Sequence, residues 1–172
     1  AGRYFAGLIS PHRFEMRTIP ASHVVQGIAD ALQYVSYYHP PDFVLALRRA
    51  YDTETRPAAR QALLQLLVNS KLSAQAHRPV CQDTGIAHIY ARLGMEARIA
   101  SDGPGPTPTL QALADQAVRL AYRCPANPLR ASVVVDPLGA RTNTGDNTPA
   151  VLHVELVEGD RLALTVVAKG GG

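Results

Sequence analysis

Between Ser22 and Tyr38 the apolar residues Val24, Val25, Ile28, Leu32 and Val35 recur at three- and four-residue steps. That spacing predicts one buried face of a helix, with Ser22 as its N-cap. His39-Pro40-Pro41 ends it, because proline cannot continue the hydrogen-bond ladder and disfavours helix in the residue before it. Pro41 can then open a second helix through DFVLALRRAY from a first-turn position. Arg56-Pro57 repeats the device, and the run that follows sets Leu63, Leu66, Leu67 and Leu72 on one stripe. Beyond residue 85 the period shortens. Ile86 to Leu93 and Glu96 to Ile99 read as strands of a hairpin around Gly94-Met95. SDGPGPTPT is a surface loop, since its Pro and Gly deny a regular ladder. Residues 109 to 123 form an amphipathic helix on Leu110, Leu113, Ala117 and Leu120, and Ser132 to Asp136 is a β-branched strand. Ala150 to Val157 and Leu162 to Ala168 are strands joined by Glu158-Gly159-Asp160, a hairpin turn by composition. The pattern predicts an α/β (mixed α+β) chain: an N-terminal helical cluster, then a mixed, antiparallel-rich sheet with a packed helix. No internal repeat is visible. Residues 1–21 are expected to be a disordered or non-native extension, with Met16 as the natural start, and 22–172 to be the folded part.

A chain of 172 residues can bury a real core. Its 47% hydrophobic and 18% charged residues are usual for a globular protein. No apolar run reaches the roughly 20 residues that span a bilayer, so no membrane segment is expected. The formal charge of +3 is spread along the chain without the clustered Lys/Arg stripe of a nucleic-acid binder. Two cysteines, Cys81 and Cys124, cannot build a disulfide framework at this size. They fit a reducing cytoplasm, where a cysteine in a polar loop points to metal binding or catalysis.

Pro79-Val80-Cys81-Gln82-Asp83-Thr84-Gly85 is such a loop. An isolated cysteine is most often a small hydrophobe, but Gln82, Asp83 and Thr84 make a poor apolar pocket. As a thiolate, Cys81 can ligate iron or act as a nucleophile. Asp83 can give or take a proton, which makes it the catalytic candidate; its structural reading is a turn former bonding its own backbone. Arg130, just before a strand, can clamp a carboxylate through two parallel hydrogen bonds or be a surface charge. The polar loop from Arg141 to Pro149 is a solvated turn or a brace for a site. Lys169-Gly170-Gly171-Gly172 offers successive N–H groups and a lysine to an anion, or is a flexible tail.

Four motifs occur in order: RPVCQDTG, NPLRAS, RTNTGDNTPAVLHVEL and VVAKGGG. Together they resemble the N-terminal part of class I fumarate hydratases, the iron–sulfur fumarases, whose relatives include the L-tartrate dehydratase alpha subunit. The resemblance covers residues 22–172, and the early DALQYVSYYHPPDF segment is closer to the fumarase branch. It implies that Cys81 is the first of three cysteines holding a [4Fe–4S] cluster whose open iron acts as a Lewis acid on the substrate. It further implies that Gln82, Asp83, Arg130 and Gly172 contact a dicarboxylate substrate, fumarate or (S)-malate. A cytoplasmic homodimer is implied as well. The family's other two cluster cysteines lie beyond the KGGG motif. The chain is therefore expected to be a fragment of the family's N-terminal catalytic domain, inactive by itself, with tartrate dehydration or a non-catalytic binding role as the alternatives.

Overall fold

The computed structural model describes residues 16–170. The expectations placed on residues 1–15 and on Gly172 lie outside the described residues. The chain enters as strand β1 (Arg17–Pro20) and turns directly into helix α1 (Ala21–Tyr37). Arg17–Pro20, assigned above to an extension, is thus ordered: it runs parallel to β3 (Ala97–Ala100), with Ile19 opposite Ile99. Because the chain arrives as a strand, Pro20 occupies the N-cap position and no side chain caps the helix. Ser22 lies inside the first turn, where its N–H and hydroxyl both donate to the Asp102 carboxylate at 2.7 Å. It is a tertiary tether, not the expected cap.

Two further helices follow, α2 (Pro41–Thr53) and α3 (Pro57–Ala76), each with proline in its first turn. They pack against each other, with the Arg60 guanidinium 4.4 Å from the Tyr51 ring centre. Helix α4 (Leu110–Tyr122) begins at a true cap, the Thr109 hydroxyl accepting from the Ala112 N–H at 3.2 Å.

Three strands form the central sheet: β2 (Ile86–Gly94), β6 (Val151–Val157) and β7 (Leu162–Lys169), in the order β6-β2-β7. Strand β2 runs parallel to β6 and antiparallel to β7. Both expected hairpins are therefore corrected. β2 and β3 belong to different sheets, and β6 and β7 do not pair, because β2 lies between them. The Glu158-Gly159-Asp160 link crosses the end of β2 instead. There Gly94, Met95 and Glu96 donate to the carbonyls of Arg161, Val157 and Gly159 at 2.7, 2.8 and 2.9 Å. A Cβ on Gly94 would lie 2.2 Å from the Gly159 oxygen, so only glycine allows that crossing.

The expected strand from Ser132 to Asp136 shrinks to β4 (Val134–Val135), which pairs with β5 (Thr142–Asn143). The cause is local. The N–H groups of Ser132 and Val133 are taken by a side chain, and Asp136 turns the backbone left-handed at φ 50.

Helices α1 and α4 pack together and cover one face of the central sheet. Ile28, Leu32, Ile89, Leu113 and Val118, each at most 2% exposed, form the core with Ala87, Ala114 and Ala117. Full burial of a side chain of that size stabilises by about 2 kcal/mol. Among the described residues no helix is long and apolar enough to cross a membrane.

Candidate functional site

The Cys81 loop hangs between fixed points. Helix α3 ends at His77, whose left-handed backbone (φ 48) breaks the ladder. The next residues are stitched down: the Val80 N–H donates to the Ser36 carbonyl at 2.9 Å, and Asn69 Nδ2 donates to the Val80 carbonyl at 2.9 Å. The Arg78 guanidinium donates to the Ala126 carbonyl at 2.8 Å. Cys81, Gln82 and Asp83 then stand exposed, while Thr84 and Gly85 are buried where the chain enters β2. The Cys81 thiol is free and lies 3.5 Å from Gln82 Oε1. It borders a recess of about 120 Å³ with Asp83, Thr84, Tyr122, Leu129 and Ala168.

Strand pairing brings the glycine-rich motif to this loop. Antiparallel register sets Ile86 opposite Lys169, so Gly85 meets the end of β7. Gly85 has φ +70, and a Cβ there would lie 2.5 Å from the Lys169 carbonyl carbon. Asp83 closes the corner. Its Oδ1 accepts from the Gly85 N–H at 3.1 Å, while Oδ2 faces Gly170, where a Cβ would come within 2.8 Å of it. Lys169-Gly170 is therefore ordered against Asp83, with Lys169 in strand β7.

Arg130 reaches the same loop by its backbone. Its carbonyl accepts the Thr84 hydroxyl in a short hydrogen bond. On its other side, buried Asn127 donates to Gln33 Oε1 at 2.8 Å, and Leu129 is sunk in the core. The Arg130 guanidinium is exposed and enters no ion pair among the described residues, which leaves its donors available to a carboxylate. Thr84 thus ties the Arg130 backbone to the loop that carries Cys81, Gln82 and Asp83, and Gly170 lies beside Asp83.

Two residues not singled out individually by sequence reasoning support them. Asn147, fully buried, donates from Nδ2 to the Gly85 carbonyl at 2.8 Å. Its Oδ1 accepts from Ser132 and Val133 at 2.8 and 3.2 Å. The Tyr122 hydroxyl lies 2.9 Å from the Thr84 carbonyl and 3.1 Å from that of Gly85. Burial raises the Tyr122 pKa, opposed by the bond to Thr84 and reinforced by the Asp83 charge, so the phenol stays a donor. The only signal in the sequence was the density of polar residues between Arg141 and Pro149. That loop is a brace: Asp146 accepts from the Thr148 hydroxyl at 2.7 Å and lies 3.9 Å from both Arg119 of α4 and Arg123, the residue that caps its end.

An exposed, free thiol beside a carboxylate and an amide is a donor suited to iron, so the loop fits one corner of an iron–sulfur cluster. Among the described residues no three His, Cys, Asp or Glu side chains form a metal-binding group. Cys124 borders a separate recess with Gln26 and Asp30.

The family model for fumarate hydratase (Fumerase) matches residues 25–172. The anaerobic class I fumarate hydratase of Escherichia coli K12 is 30% identical over 122 residues, covering 71% of this chain and 21% of its own length. Fumarate hydratase 2 of Leishmania major is 30% identical over 143 residues, or 83% and 24% of the two chains. A putative L(+)-tartrate dehydratase alpha subunit of Methanocaldococcus jannaschii is 23% identical over 150 residues, or 84% and 50%. The chain spans about a fifth of the length of the fumarate hydratases it matches. With a family model covering the QDTG loop, the Arg130 segment and the glycine-rich turn together, the chain belongs to the fumarate hydratase family.

Proposed function

We propose that this chain carries part of the active site of a hydro-lyase that interconverts fumarate and (S)-malate. The observation that carries the reading is the placement of Asp83: one carboxylate oxygen is anchored by the Gly85 N–H and the other lies over Gly170. An anchored carboxylate with one free oxygen can hold or deliver a proton at a defined place, as general acid–base chemistry requires. Arg130 supplies a planar donor pair for a substrate carboxylate, and Gln82 adds an amide that can donate and accept. Cys81 would hold a [4Fe–4S] cluster together with thiolates outside the described residues. When bound, that cluster supplies a Lewis acid for the substrate oxygen. The chain's own residues then bind one end of the dicarboxylate and fix its orientation, an effect that lowers the barrier by removing orientational freedom before the reaction. Gly172 as a backbone contact, a cytoplasmic location and a homodimer belong to the same proposal.

The tartrate reading has its own support, because the tartrate dehydratase relative aligns over more of this chain than the Escherichia coli enzyme does. A substrate comparison separates them. The complete gene product, reconstituted anaerobically, is expected to hydrate fumarate and to leave L-tartrate unchanged. Turnover of tartrate alone would replace the proposal with its alternative. Turnover of neither would remove both.

A further inference from the structure

We propose that Asn147 and Tyr122 are positioning residues: together they seize the Gly85 carbonyl and so set Asp83 against Arg130. The proposal rests on the hydro-lyase reading of the same site. Asn147 is 0% exposed, and a buried amide is retained at low cost only when its groups are satisfied. Here one side chain bonds two chain segments that are distant in sequence. Its amide nitrogen holds Gly85, two residues after Asp83, and its oxygen holds Ser132 and Val133, two and three residues after Arg130. Its backbone is left-handed (φ 64), a conformation that asparagine tolerates better than most residues, and its N–H is bound by the Thr144 hydroxyl at 3.1 Å.

Tyr122 approaches the same carbonyl from α4, and its hydroxyl also reaches the Thr84 carbonyl. Gly85 is consequently held at every polar atom: its N–H by Asp83, its carbonyl by Asn147 and Tyr122. Asn147 is fully buried, and Tyr122, itself buried, meets the Cys81 side only at the wall of the small recess. Their effect on substrate is indirect. They hold together the two backbone segments that carry the Asp83 carboxylate and the Arg130 guanidinium, both of which must meet one small molecule.

Asn147→Gly removes the amide while accepting the left-handed backbone. Hydrogen exchange on the chain should show about tenfold faster exchange at Gly85, Ser132 and Val133, with the amides of α1 and the interior of β2 unchanged. In the reconstituted complete gene product, KM for malate should rise about tenfold as Arg130 loses register with Asp83. A merely structural role would lower the active fraction and leave KM as in the unaltered protein, which would overturn the proposal. Unchanged exchange at those amides would overturn it as well. If Asn147→Gly does not fold, Tyr122→Phe carries the test, since its ring can stay packed. About threefold faster exchange at Gly85 is then expected, and unchanged exchange would count against the clamp. The two readings fail separately. An unaltered enzyme without hydratase activity but with the exchange pattern intact sinks the reaction, whereas full activity with unmoved exchange sinks the clamp.

Discussion

Helices α1 and α3 are both rich in apolar residues, yet they end in opposite situations. Ile28 and Leu32 of α1 are at most 1% exposed, whereas Leu66 and Leu72 of α3 are 50% and 57% exposed. In α2, Phe43 and Leu45 stand similarly open, and α3 fully buries only Ser70 and Ser73. The period of a helix says which face is apolar, not whether anything meets it. Helix α1 finds α4 and the sheet; α2 and α3 find chiefly each other. The candidate site lies at the boundary, its loop anchored on one side by Asn69 of α3 and on the other by Tyr122 of α4. Its rigidity comes from the second side, where the polar atoms of Thr84 and Gly85 are bonded.

That contrast can be broken in graded steps. Ile89→Ala, at 0% exposure in the central strand, should cost about 3 kcal/mol in urea unfolding. A loss no larger than that of a surface substitution would deny the sheet its role as the stability centre. Gly85→Ala comes next, at about 2 kcal/mol, because a left-handed alanine is strained and its Cβ would meet the Lys169 backbone. It should also abolish hydratase activity in the complete gene product; an active, equally stable variant would contradict the described contact.

Acid should loosen the brace next. The Asp146 carboxyl is held below its ordinary 3.8, chiefly by the Thr148 hydroxyl, with Arg123 and Arg119 assisting against partial burial. With the native pKa depressed, the unfolded state takes up the proton first as pH falls. The contribution is full above about pH 4 and is lost as pH drops through the native value. Amide protection over Thr144 to Thr148 should fall from pH 6 to pH 3, and Asp146→Asn should remove that dependence. Leu72→Ala is the smallest step, about 0.5 kcal/mol or less in urea unfolding, as for an exposed position. A loss approaching that of Ile89→Ala would mean the α3 face is covered after all.

Much of the helical layout was legible because its punctuation is local. Pro40-Pro41 and Arg56-Pro57 stop one helix and open the next, and the boundaries fall where those residues put them. The sheet order was not legible. Residues 151–157 and 162–169 look like two arms of a hairpin, and nothing within either run records that β2 inserts between them. Ser22 misled for a related reason: its composition suits a cap, but the strand before it moved the helix start to Ala21. In the site, Cys81 and Asp83 could be singled out because polar chemistry beside a glycine is visible in a string of letters, whereas Gln82 and Arg130 came forward through the family resemblance. Asn147 and Tyr122 stayed hidden, since their importance lies in being buried against backbone carbonyls from other segments.

The most direct measurement compares the complete gene product with its Cys81→Ser variant after anaerobic reconstitution, reading cluster absorbance and fumarate hydration on the same samples. The account predicts that the serine variant loses both the absorbance band and the hydration activity. A variant that keeps its cluster and still hydrates fumarate would contradict the assignment of Cys81, and with it the role given to the loop.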